Sequence, residues 1–487
     1  MLRPAAVLKE VPRPICQAEK QETDDVYESY QDLVNLVFLK SQTMKKRKSV
    51  FLMLMAMLLG TAISFSQSSK IEFTEFDLSN GLHVILHQNN TVPTVAVNVM
   101  YHVGSKNEQP DRTGFAHFFE HLMFEGSEYI KRGEFDKYCL NAGGNNNAET
   151  SFDNTDYYEN LPSNQLALAL WMESERMMHL KIDSIGIETQ RKVVKEERKQ
   201  RFENRPYGKL YPELFSSAFQ VMPYHWMPIG EVQYIDQARY SEFMDFYHEF
   251  YVPQNAVLVI AGDIHIDETK ALVEKYFDAI PKGKENIYRP NVKEPPQATE
   301  LRKTVYDRVQ LPAILYAYHI PASGTPDSYV LDMLQKYLAG GESSRFYKSL
   351  VDKQQIAAAA AAFPVTLEDA GLFVVYAIGN VGKKAEDIDK AMDAEIEKAK
   401  TGDISEYDFQ KIKNQIENDF YSRNSTMHGI ASTLAEDYTF FKDANLINTE
   451  IDKYSKITRE DLKRAANQYL RPENRVVLYY LPESLKK

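Results

Sequence analysis

The chain has 487 residues, too many for one ordinary hydrophobic core and suited to two or more domains. Its 44% hydrophobic and 26% charged residues are the make-up of a globular protein. The net charge is -12 and no long basic run follows the amino-terminal region, which argues against nucleic acid or an anionic membrane as the main partner.

Residues 44–66 read as a signal peptide. Met44-Lys45-Lys46-Arg47-Lys48 is a positive n-region, Val50 to Phe65 an apolar h-region, and Ser64 and Ser66 place small residues before a cleavage site at Gln67. The h-region is shorter than the ~20 apolar residues of a membrane span. The expectation is therefore a periplasmic or secreted protein with no stable span after cleavage; retention as an uncleaved anchor is the alternative. Residues 1–43 are polar, resemble no part of a signal and read as an upstream extension, with Met44 as the expected start. The two cysteines are Cys16 and Cys139, so the chain from Gln67 onward holds one and no internal disulfide.

Beyond the signal, two alternating runs, Ile71 to Leu78 and Leu82 to His87, flank Ser79-Asn80-Gly81 and predict a hairpin. Thr94 to Val103 alternates as a half-buried strand. A polar loop, with Asp111 or Thr113 as candidate caps, then leads into Gly114-Phe115-Ala116-His117-Phe118-Phe119-Glu120-His121-Leu122. On a helix, His117 and His121 lie on one face, four residues apart, with Glu120 at its border. Two imidazoles converging beside a carboxylate supply a zinc site and its general base, and His-x-x-Glu-His is the inverted zinc-peptidase order.

Glu134 to Leu140 is an expected short helix, closed by Gly143-Gly144. Asn145 to Tyr158 is polar and rich in Thr and Tyr, in the manner of an exposed strand. Residues 163–181 pattern as an amphipathic helix, and a charged helix runs from about Glu188 to before Pro206. A catalytic zinc wants a third protein ligand. The carboxylates of Gln190 to Arg198 are the candidates: Val193 and Val194 give the apolar stripe, Glu197 lies four after Val193, and Glu196 fits either flank.

Tyr240 to Phe250 is helical and passes through Pro253-Gln254-Asn255 into the buried strand Ala256 to Ala261. Residues 281–303, with four prolines among charges, read as a linker. Pro253 and Asn255 recur as Pro472 and Asn474 at one offset of 219 residues, again between a helix and a buried strand. An internal duplication follows. The expected fold class is α+β: two homologous domains, residues 67–280 and 304–487, each a mostly antiparallel sheet packed with helices. Only the first carries the histidine motif, so one metal site per chain is expected.

The motif, the 76 positions from His121 to Glu197 and the duplicated halves together resemble the pitrilysin/insulysin-type zinc metallopeptidases, and most closely their short bacterial, mitochondrial-processing-peptidase-like members. The resemblance implies that His117, His121 and Glu197 bind one Zn2+ and that Glu120 is the base. It implies that Asn147 and Ala148, on an edge strand, hydrogen-bond an extended peptide substrate. Gln190 stands where several members have a supporting glutamate seven before the ligand. After Leu338-Ala339-Gly340-Gly341-Glu342-Ser343-Ser344, self-sufficient members carry an arginine and, seven later, a tyrosine; here those positions are Val351 and Ala358, which donate no hydrogen bond. Arg345 and Tyr347 lie too far upstream to be direct replacements. The implied protein is a zinc endopeptidase working as the metal-bearing subunit of a heterodimer, its metal-free partner supplying Arg and Tyr. A catalytically silent assembly subunit is the alternative.

Overall fold

In the computed structural model, residues 70–486 are described, so the signal segment and the stretch before it lie outside the described residues. The Asn80-Gly81 turn meets the expectation of a hairpin. Gly81 takes φ +88°, and β1 (Thr74–Asp77) folds back antiparallel on β2 (His83–Gln88). With β3 (Thr94–Tyr101), β4 (Asn145–Thr150), β5 (Thr155–Pro162) and β6 (Ala256–Gly262) they build a six-stranded sheet ordered β1-β2-β6-β3-β5-β4. The second sheet has five strands: β7 (Leu301–Asp307), β8 (Ala313–Ile320), β9 (Ala357–Thr366), β10 (Gly371–Gly379) and β11 (Arg475–Pro482), ordered β7-β11-β8-β10-β9.

From β2 to β4 the first sheet repeats the order of the second. Each has one parallel pair, β2 with β6 and β7 with β11, and is otherwise antiparallel. The duplication reaches single hydrogen bonds. Asn255 Nδ2 donates to Phe250 O at 2.7 Å and to His102 O at 3.3 Å; Asn474 Nδ2 donates to Tyr469 O and His319 O, both at 2.9 Å. In both copies an asparagine amide closes the helix end and ties the incoming strand to its antiparallel neighbour, leaving few carbonyls unpaired.

The halves are interlocked rather than strung together. Val84, Leu86, Val97 and Val99 face the helices of their own half, around Phe115, Phe118 and Phe119. On the other face, Ile85, Ala96, Met100, Val257 and Val259 are covered by Ile430, Ala431, Leu434 and Ala435 of the Met427–Phe441 helix, which comes from the second half. Reciprocally, the Leu210–Ala218 helix of the first half lays Leu214 and Phe215 on Leu315, Ala317, Val374 and Val476. Both sheets are thus buried on two faces, which is why β6 reads as an unbroken apolar run. Residues 281–300, within the expected linker, hold no helix or strand, and β7 begins at Leu301 by pairing in parallel with β11.

Two expected helices are shifted at their ends. The helix expected over 163–181 is Leu166–Met178 behind a 3-10 turn. The charged helix begins at Ser184, because the Asp183 side chain accepts the Gly186 N–H at 2.7 Å. It ends at Arg198 in a π-helical turn, Lys199–Glu203. No helix among the described residues is long and apolar enough to cross a membrane.

Candidate metal centre

The motif helix, Phe115–Leu122, is fixed by its aromatic side. Phe115 and Phe118 each stack on Phe243 with ring centroids 4.9 Å apart, and Phe119 on Phe246 at 5.4 Å. That stripe turns His117, Glu120 and His121 the other way. The helix starts at Gly114, φ +95°, where a Cβ would lie 2.8 Å from Ile229 O, so glycine is required. Neither Asp111 nor Thr113 caps it. Glu108 does so from six residues upstream: its carboxylate accepts the Gly114 N–H at 2.9 Å and the Ala116 N–H at 2.8 Å, while the Thr113 hydroxyl accepts the Glu231 N–H. Burial pushes the Glu108 carboxyl up, to about 8, against the pull of those amides.

The Ser184–Arg198 helix carries the third candidate ligand. Its packed face is made by Ile187 and Val194 rather than by the pair Val193 and Val194, since Val193 is 43% exposed. Glu197, one turn after Val194, converges with the histidines. Its Oε2 lies 3.2 Å from His121 Nε2 and 3.6 Å from His117 Nε2. The three ligand atoms lie within 4.8 Å of one another. Nitrogen and oxygen donors at zinc distances in a tetrahedron are ~3.3 Å apart, so both carboxylate–imidazole spacings already match a zinc site. Burial opposes charge on Glu197, but the two imidazoles and Arg201 outweigh it and hold the carboxyl well below the usual range. Arg201, one turn on, pairs with the other oxygen, Oε1, at 2.8 Å.

Glu120 sits beside this cluster, half-buried, and its Oε2 accepts the Thr150 hydroxyl at 2.6 Å. Thr150 ends β4, the edge strand of the first sheet, which among the described residues pairs only with β5. On that strand Asn147 is exposed and Ala148 half-buried against the core. Gln190 does not touch the histidines. Its Nε2 donates to Glu125 Oε1 at 2.6 Å, and Glu125 also pairs with Arg132. Thr150 escapes a reading by motif because Glu120 is distant in sequence, and Glu108 because it reaches the helix across a loop; Arg201, four after Glu197, is an i,i+4 pair the sequence does offer.

In the second half, Val351 packs against the core and Ala358 stands exposed on β9. Arg345 is engaged locally: Nη1 donates to Tyr337 OH at 2.9 Å, and Nη2 lies 3.7 Å from Glu395.

Residues 83–225 match the family described as Insulinase (Peptidase family M16), and residues 238–416 the Peptidase M16 inactive domain. The zinc protease PqqE of Helicobacter pylori is 33% identical over 408 residues, 83% of this chain and 92% of that one. This chain belongs to peptidase family M16. Among M16 relatives, a probable mitochondrial-processing peptidase subunit beta of Arabidopsis thaliana is 24% identical over 81% of this chain and 75% of its own. The crystal structure of a Helicobacter pylori protease superposes with a TM-score of 0.81 at 33% identity, over 84% of this chain and all of that one. The periplasmic protease PqqL of Escherichia coli shares the M16 fold, with a TM-score of 0.70 at 18% identity; this chain spans 47% of its length.

Proposed function

We propose that the protein is a zinc-dependent endopeptidase acting on peptides or unfolded polypeptides. The observation that carries this is the convergence of His117, His121 and Glu197, with a fourth side chain, Glu120, held beside them by Thr150. Zinc, when bound, would polarise the scissile carbonyl and acidify the attacking water. Glu120 takes the proton of that water and passes it to the leaving amine. Thr150 holds one oxygen of Glu120, which leaves the other for the proton. Arg201 offsets the charge on the Glu197 oxygen turned away from the imidazoles. The free edge of β4, at Asn147 and Ala148, pairs with the backbone of an extended substrate, which favours flexible chains over folded ones.

The proposal extends to a partner. Val351 and Ala358 offer no donor for a substrate carbonyl, and Arg345 is held by Tyr337 and Glu395. A metal-free homologue that supplies Arg and Tyr would complete the site, and the Met44–Ser66 segment would direct the protein to the periplasm or outside the cell. The test is to express residues 67–487 with and without the most similar metal-free homologue of the same genome, and to measure zinc content and peptide cleavage. One zinc per chain with cleavage abolished in Glu120→Gln is the expected result. Stoichiometric zinc with no cleavage in either preparation would leave the silent-subunit reading standing instead.

A further inference from the structure

We infer that Lys106 is a positioning residue for Glu120, the proposed base, and that it acts by clamping the turn after β4 to the second half of the chain, an inference that rests on the peptidase reading. Lys106 lies in the 3-10 turn Ser105–Asn107, between β3 and the motif helix, and is only 3% exposed. A lysine is almost never buried to that degree without a partner. Here it has three. Its Nζ lies 3.0 Å from Asp153 Oδ1 and 3.0 Å from Asp369 Oδ2, and it pairs with Glu368 Oε2. Burial opposes the charge, but the three carboxylates outweigh it and hold the ammonium above the ordinary lysine range.

The three carboxylates come from two turns. Asp153 belongs to the turn between β4 and β5, three residues after Thr150. Glu368 and Asp369 lie in the turn between β9 and β10, in the half without the metal motif. Further bonds hold turn to turn. Asp153 Oδ2 accepts the Glu368 N–H at 2.9 Å and its Oδ1 accepts the Tyr224 hydroxyl at 2.7 Å. The same Tyr224 oxygen accepts the Asp369 N–H at 3.1 Å, and His102 Nε2 lies 2.8 Å from Glu368 Oε2. Lys106 is the group that reaches all three carboxylates. Without it the two turns would bring like charges together in a largely buried place, where an unmatched charge is costly.

The junction reaches the candidate site through one strand end. Thr150, whose hydroxyl holds Glu120 Oε2, is the last residue of β4 before the Asp153 turn. The backbone at Lys106 is tied to that turn as well: the Ser105 N–H donates to Ser151 O at 3.2 Å and the Lys106 N–H to Phe152 O at 2.9 Å. Release of the Asp153 turn from the β9–β10 turn therefore frees the end of β4 and, with it, the hydroxyl that orients Glu120. Lys106 works through Asp153 and Thr150, so its loss falls on the rate of the chemical step rather than on zinc or peptide binding.

The test is a double-mutant cycle on kcat in the zinc-loaded preparation that cleaves peptide, with zinc content measured for every variant. Lys106→Met should lower kcat about tenfold, with KM changed by less than about twofold and one zinc per chain kept. Lys106→Arg, which keeps the charge, should recover most of the rate. In a Thr150→Val background Lys106→Met should cost less than about threefold more, because the path it acts through is already cut. Glu368→Gln gives the same cycle from the second half if Lys106→Met does not fold: a loss of about threefold alone and almost none beside Thr150→Val. An unchanged kcat in the folded variant, or losses that multiply with that of Thr150→Val, overturns the positioning role and leaves the peptidase reading in place. No cleavage by the unmutated protein, alone or with the metal-free homologue, overturns both.

Discussion

Thr150 donates its hydroxyl to Glu120 at 2.6 Å, and so joins the edge strand to the motif helix. The strand proposed to hold the peptide thus also holds the proposed base. Thr150→Val keeps the shape and removes the donor. Its expected cost is about tenfold in kcat, the equivalent of one hydrogen bond worth ~1.4 kcal/mol, with KM nearly unchanged. Thr150→Ser should restore most of the rate. Equal losses for Val and Ser in steady-state kinetics would make the residue a packing element only.

Zinc should stabilise the fold through the same cluster. A ligand that binds the native state alone adds about 2.7 kcal/mol at a hundredfold excess over its Kd, which is a readily measured rise in Tm. The rise should vanish on adding a chelator and be absent in His117→Ala and Glu197→Gln, yet survive in Glu120→Gln. A thermal melt with and without zinc decides this independently of any substrate.

Much of this architecture is legible along the chain because it is written locally. The Asn80-Gly81 hairpin, the aromatic stripe of the motif helix and the repeated Pro-x-Asn before β6 and β11 all follow from short spacings. What escaped is non-local. Glu108 caps a helix six residues away across a loop, where Asp111 and Thr113 looked better placed. Thr150 finds Glu120 only once β4 lies against the helix. Val193, expected inside, faces solvent because Ile187 and Val194 already define the packed side. Nothing in the sequence says that the Met427–Phe441 helix covers the sheet of the other half, since an apolar helix face does not name its partner.

Glu108→Ala should destabilise the protein by about 1–3 kcal/mol, because two buried amides at the start of the motif helix lose their acceptor. The loss should appear in denaturant titration and be accompanied by weaker zinc affinity, since the helix then frays at the end that carries His117. Glu108→Gln, which keeps one carbonyl acceptor, should fall between Ala and the native protein.

The exchanged helices make the two halves one cooperative unit. Leu434 is fully buried on the first sheet although it belongs to the second half. Leu434→Ala should cost about 2–5 kcal/mol, the usual range for a leucine deleted from a packed core. Calorimetry should show a single transition displaced as a whole. Two transitions, only one of them moved, would mean that the halves unfold separately.

The same helix carries a pH dependence. Asp437 is buried, its Oδ2 has no hydrogen-bond partner among the described residues, and burial together with Glu450 and Glu436 pushes its carboxyl up to about 8 against the pull of Arg423 and Lys453. An acid whose pKa is raised on folding binds its proton more tightly in the native state. Its contribution is therefore complete below the ordinary value of 3.8 and is lost as pH rises through about 8. Asp156, on the sheet beneath, is raised to about 7 and acts in the same direction. Denaturant midpoints should accordingly fall between about pH 4 and pH 8, and Asp437→Asn, which keeps the size and removes the titration, should flatten the upper part of that slope. A variant with the native pH profile would show that the aspartate stays charged in the fold, matched by Arg423 and Lys453.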